Sequence, residues 1–100
     1  MAVLVVCPRM AWGSRAVVPG TEVRLVGTTE RATVAADSAC AVVRADAGER
    51  TVVLRRIGFR EAFTSWRARR GYTDTLRVWL ADGRMYLGLA DRADPAPRAP

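Results

Sequence analysis

Apolar and polar positions alternate along much of this chain with a period of two. Residues 22–26 put Val23 and Leu25 on one side, and residues 31–36 put Ala32, Val34 and Ala36 on one side. This is the pattern of half-buried strands. Residues 2–6 form a continuous apolar run instead, which suits a strand covered on both faces. The run is short, has no basic stretch before it and meets Pro8-Arg9, so it reads as a buried strand rather than a signal peptide. Residues 8–15 read as a loop and residues 15–18 as a short strand. Turns are marked by Pro19-Gly20, by residues 27–30 and by Asp37-Ser38. Residues 39–44 and 50–55 read as a hairpin closed by residues 45–49, with Gly48 free to turn left-handed.

The sharpest local signal is Asp82-Gly83 between two alternating runs. A two-residue type I′ turn needs positive φ at both central positions, and Asp-Gly supplies it. The register then pairs Leu80 with Met85, Val78 with Leu87 and Leu76 with Leu89 on a wholly apolar face. The other face pairs Trp79 with Tyr86 and carries Arg77 and Arg84.

Between these strand patterns the period changes. Phe59, Ala62, Phe63 and Trp66 fall at i, i+3, i+4 and i+7, which predicts an amphipathic helix with those residues as its core stripe. Gly71 is placed as its C-terminal cap, and Arg67, Arg69 and Arg70 fall in its last turn, where cations favour the helix dipole. The expected fold class is α+β. It is a small antiparallel β-barrel or curved sheet of about five to seven short strands, with one amphipathic helix before a C-terminal hairpin. Residues 1–90 read as a single β-rich domain. Residues 91–100, with three prolines and little apolar content, read as a disordered Pro-rich tail.

Charge sharpens this picture. All 16 basic residues are arginine, and the net charge is +6. Lysine, histidine, asparagine and glutamine are absent, which fits a high-GC genome and inflates arginine everywhere. Codon bias does not explain clustering. Arg55, Arg56, Arg60, Arg67, Arg69 and Arg70 against Glu61 give +5 between positions 55 and 70, leaving +1 for the other ten arginines and nine acids. Such a patch favours a polyanion partner.

Chemistry of other kinds has little to work with. Without histidine there is no Ser-His or Cys-His pair, and no glycine cluster resembles a phosphate-binding loop. The acids are scattered, so carboxylate or Arg/Tyr chemistry is what is left for an enzyme, and the chain reads as non-enzymatic, with no cofactor and no metal. Cys7 and Cys40 have no metal-ligand spacing. Cys40, set among Ala39, Ala41 and Val42, reads as a reduced, buried thiol in a cytoplasmic protein, with a disulfide left open. No apolar run approaches the ~20 residues that span a membrane.

Two functional readings follow. In the first, the chain binds nucleic acid or another polyanion through Arg55, Arg56, Arg60, Arg67, Arg69, Arg70, Arg77 and Arg84, with Trp79 and Tyr86 stacking on bases. In the second, it is a structural, assembly or accessory subunit that meets a protein partner, or another copy of itself, through sheet edges and the Trp79/Tyr86 face.

The predicted helix followed by residues 76–88 is similar to the opening of Sm-like RNA-binding proteins. Those run helix, first strand, a turn before Gly-Arg (here Gly83-Arg84) and a glycine in the second strand (here Gly88). The likeness covers about a third of the chain and implies a small barrel. The Sm-like fold continues with three more strands and RNA-binding loops where this chain has its Pro-rich end, so no binding residue is carried over.

Overall fold

The structure, a computed structural model, describes residues 1–12, 18–36 and 39–89. Among the described residues eight strands form two sheets. They are β1 (Ala2–Met10), β2 (Glu22–Leu25), β3 (Arg31–Thr33), β4 (Ala41–Ala45), β5 (Gly48–Arg55), β6 (Ala62–Ala68), β7 (Thr73–Ala81) and β8 (Arg84–Leu89). The first sheet runs β4-β1-β7-β8 and the second β3-β2-β5-β6. Each sheet has an apolar face, and the two faces close on one another. Leu4, Val6, Leu76, Val78 and Leu80 from the first sheet share one buried core with Val23, Leu25, Val52, Leu54 and Trp66 from the second.

The continuous apolar run of β1 is explained by its place. It is a central strand, antiparallel to β4 and parallel to β7. Ala2, Leu4 and Val6 are fully buried on the inside, while Val3, Val5 and Cys7 are half-buried outside. The C-terminal hairpin has the expected register: Leu80 opposite Met85, Val78 opposite Leu87, Leu76 opposite Leu89 and Trp79 opposite Tyr86. Asp82 and Gly83 both take positive φ, 52° and 72°, as a type I′ turn requires.

The α+β expectation is overturned, because no helix occurs among the described residues and the fold is all-β. The predicted helix is β6. Its inner positions are Ala62, Thr64, Trp66 and Ala68, and Phe63, Ser65 and Arg67 point out. Residues four apart share a face in a helix and in a strand alike, so the Ala62–Trp66 spacing satisfies both patterns. Tertiary pairing decides, because β6 lies along β5 from Gly48↔Ala68 to Leu54↔Ala62. Phe and Trp, and Thr64 with them, also favour a pleated surface. Phe63, placed in the core by the helical stripe, is 73% exposed. Gly71 is no helix cap. With φ of 80° it stands third in a turn closed by the Tyr72 N–H donating to the Arg69 carbonyl at 3.0 Å.

Further expectations change. The architecture is two stacked sheets rather than a barrel or a single curved sheet, and β1 with β7 breaks the purely antiparallel order. The Sm-like opening lacks its helix, so that likeness reduces to a hairpin. Residues 39–44 and 50–55 are not hairpin partners, since β4 pairs with β1 and β5 with β2 and β6. The connection between them crosses from one sheet to the other. The cysteines are not reduced thiols either, because Cys7 and Cys40 are joined in a disulfide that ties β1 to the segment before β4. The expected strand at 15–18 (save Val18), the turn at Asp37-Ser38 and the tail at 91–100 lie outside the described residues.

Candidate interaction surface

The arginines that cluster in sequence disperse in space. A strand of seven residues is about 20 Å long, so β6 holds Arg60 at one end of the sandwich and Arg69 and Arg70 at the other. Arg55 and Arg67 project from the outer face of the second sheet, and each has a carboxylate partner. Arg55 Nε lies 3.1 Å from Glu61, and an Arg67 guanidinium nitrogen lies 3.6 Å from Glu49. The Arg56 guanidinium donates to the Pro19 carbonyl. Arg69 sits over the Tyr72 ring, 4.3 Å from its centroid. The backbone N–H of Arg60 donates to the Gly83 carbonyl at 2.7 Å, bracing the β5–β6 turn on the hairpin turn.

Arg77, Arg84, Trp79 and Tyr86 do share one face, the outer face of the first sheet, as the hairpin register requires. Trp79 is only 8% exposed. It packs with Ala11 and Ala81 and with partly buried Trp12 and Tyr86. The chain leaving β1 thus folds over one end of this face, and Tyr86 is the aromatic that stays half-exposed.

The same face gathers residues far apart in sequence. Arg9 lies opposite Trp79, Cys7 opposite Arg77, and Arg44 opposite Val3. Among the described residues its strands therefore carry Arg9, Arg44, Arg77 and Arg84 outward and no carboxylate. Asp74, the acid on β7, faces inward, where its carboxylate accepts a hydrogen bond from Trp66. Between the cations lie Val3 and Val5, half-buried, and the exposed Val42. Sequence reasoning found the β7–β8 half of this face and missed Arg9 and Arg44, because parallel pairing of β1 with β7 has no local signal.

The second sheet differs. Its outer face mixes Glu22, Arg24, Arg31, Glu49, Arg55, Arg67 and the exposed Phe63. A cleft of about 380 Å³ at one end is lined by Gly20, Glu22, Arg55, Arg56, Ile57, Phe59 and Glu61. A second, of about 420 Å³, lies where β6 nears β8 and includes Trp66, Asp74 and Leu89. Arg24 and Arg31 were legible in principle. With Val23, Leu25 and Ala32 facing in, a hairpin turning at 27–30 sets both arginines on one outer face.

Among the described residues no helix is long and apolar enough to cross a membrane. No protein-family model and no curated protein sequence matches the chain. Solved chains similar in fold include two from crystal structures of a type II Cohesin-X-Dockerin complex of Acetivibrio cellulolyticus. One, from an N-terminal interface mutant, is 19% identical over 88% of this chain and 59% of its own, with a TM-score of 0.60. The other, from a C-terminal interface mutant, is 17% identical over 99% of this chain and 65% of its own, with a TM-score of 0.63. This chain spans less than two-thirds of the length of either. At such identities the likeness is one of fold: an all-β sandwich of the kind found in those assemblies.

Proposed function

We propose that this chain is a protein-association module that docks an acidic protein surface on the outer face of the β4-β1-β7-β8 sheet. One observation carries the reading: four strands turn Arg9, Arg44, Arg77 and Arg84 to one outer face that also carries Val3, Val5, Val42 and Tyr86, with Arg44 about 20 Å from Arg9 along β1. Among the described residues these strands point no carboxylate outward, and the Glu30 carboxylate reaches the face only at its edge, on the Arg44 N–H. Charge of one sign around an apolar centre suits a complementary partner and speeds encounter. Strands β4 and β8 are the edges of this sheet, where backbone pairing with a partner is possible, although on β4 the Arg44 N–H already donates to the Glu30 carboxylate at 3.1 Å. The fold likeness to chains from a multi-protein complex supports the same class. The polyanion reading rested on a helical arginine stripe together with the hairpin face, and no helix occurs among the described residues. The disulfide also argues for an oxidising compartment in place of the cytoplasm.

The test uses the full chain and an Arg9→Glu/Arg84→Glu variant with unchanged melting behaviour. A partner captured in stoichiometric amount from nuclease-treated extract, then purified, should bind the variant at least about tenfold more weakly. A strictly monomeric chain with no stoichiometric partner would retire the proposal. Binding of labelled DNA or RNA that falls steeply with salt and is lost in the same variant would transfer this face to nucleic acid.

A further inference from the structure

One row on the opposite sheet is not explained by its own packing. Arg24 on β2 and Arg31 on β3 are directly opposed in the antiparallel register. Both project outward, because Val23 and Leu25 face the core. Like charges in this position destabilise a sheet. Neighbouring arginines are compensated, Arg55 by Glu61 and Arg67 by Glu49, but among the described residues Arg24 and Arg31 enter no ion pair. Arg24 Nε is moreover buried without a hydrogen-bond acceptor. A buried donor left unmade is costly, and Arg56 Nε is in the same state, so it is the opposed Arg24–Arg31 pair that sets this row apart.

The row continues across the sheet to Val53 on β5 and Phe63 on β6. Val53, although on the outer face, is only 7% exposed, whereas Phe63 is 73% exposed. Two cations, an apolar floor and an open aromatic ring thus lie side by side on four strands. At about 4.8 Å between strands, Arg24 and Phe63 stand roughly 10 Å apart. An extended segment with side chains two residues apart on one side spans about 7 Å, and the reach of an arginine side chain covers the rest.

We propose that this row binds an extended segment of a partner protein in which a carboxylate side chain and an apolar one stand two residues apart. The carboxylate would be held between Arg24 and Arg31, and the apolar group would pack on Phe63 and Val53. Local charge favours a carboxylate over a phosphate. Two arginines and Glu22, which shares their face on β2, sum to +1, and a single carboxylate neutralises that. The site lies on the other sheet from the face proposed above, so either stands if the other fails.

The experiment is an NMR titration of the full chain with acetyl-Glu-Ser-Phe-amide, its Gln analogue and inorganic phosphate. The Glu peptide should shift the Arg24 and Arg31 Nε–H signals and the Phe63 ring saturably, and the Gln analogue should bind at least about tenfold more weakly. Arg31→Glu gives a second readout. It places opposite charges face to face, so the melting midpoint should rise by about 2–6 °C while peptide binding is lost. Phe63→Ser should weaken the peptide without changing the midpoint. Equal binding of the Glu and Gln peptides, or an Arg31→Glu variant that melts lower or still binds, would overturn the proposal. Phosphate shifting the same signals as strongly as the peptide would overturn its assignment to a carboxylate.

Discussion

The indole Nε1 of Trp66 donates a 2.8 Å hydrogen bond to the Asp74 carboxylate, joining β6 of one sheet to β7 of the other. Trp66 is 1% exposed and the largest side chain of the core. Asp74→Ala should cost about 1–3 kcal/mol by leaving a buried N–H without an acceptor. Asp74→Asn keeps an acceptor at that place and should cost less than about 1 kcal/mol. Urea unfolding followed by tryptophan fluorescence measures both. An Ala variant as stable as the parent would show that water serves the indole equally well.

Phe63 and Trp66 sit three residues apart on one strand and face opposite ways. Trp66→Ala should therefore cost about 3–5 kcal/mol, and Phe63→Ala should stay within about 0.5 kcal/mol. An amphipathic helix over the same residues would make both changes costly. Large losses for both would contradict the strand.

That pair also shows where the sequence stopped being legible. Local chemistry carried the β7–β8 hairpin to its register, because Asp82-Gly83 fixes the turn and alternation fixes the faces. It carried β2 and the start of β3 for the same reason, although β3 ends at Thr33 and Ala36, expected inward, is exposed. The apolar run of β1 announced a covered strand. It did not distinguish β6 from a helix, since Ala62 and Trp66 satisfy both periods and the deciding partner, β5, acts through tertiary pairing. Residues 39–55 alternate well, yet alternation says nothing about which sheet a strand joins, so a crossing between sheets read as a hairpin. The candidate surfaces follow the same rule. Trp79 with Tyr86 was visible as a local pair, whereas Arg9 and Arg44 reach that face only through long-range register.

The Cys7–Cys40 disulfide closes a loop of 33 residues in sequence separation. Chain entropy assigns such a loop about 3–4 kcal/mol, a large share of the roughly 5–15 kcal/mol typical of a whole domain. The Cys7→Ala/Cys40→Ala variant should therefore melt well below the parent, and a thiol reductant should lower the parent's midpoint but not the variant's. Thiol titration of the unfolded, unreduced chain checks the premise. Two free thiols per chain in native material would remove both the predicted loss and the argument for an oxidising compartment.

The hairpin turn is tied to more than its own strands. Asp82 is a non-glycine residue with φ of 52°, and the Gly83 carbonyl receives the Arg60 N–H at 2.7 Å from the β5–β6 turn. Asp tolerates the left-handed region better than most residues, and a β-branched side chain tolerates it poorly. Asp82→Gly or Asp82→Asn should leave stability nearly unchanged, whereas Asp82→Val should cost about 1–2 kcal/mol. If the turn shifts to relieve that strain, the Gly83 carbonyl moves and the Arg60 amide loses its acceptor. Hydrogen exchange at Arg60 should then speed up in Asp82→Val by more than the global loss accounts for, and stay as slow as in the parent in Asp82→Asn. Equal exchange in the Asn and Val variants, once corrected for stability, would mean that the two turns are held independently.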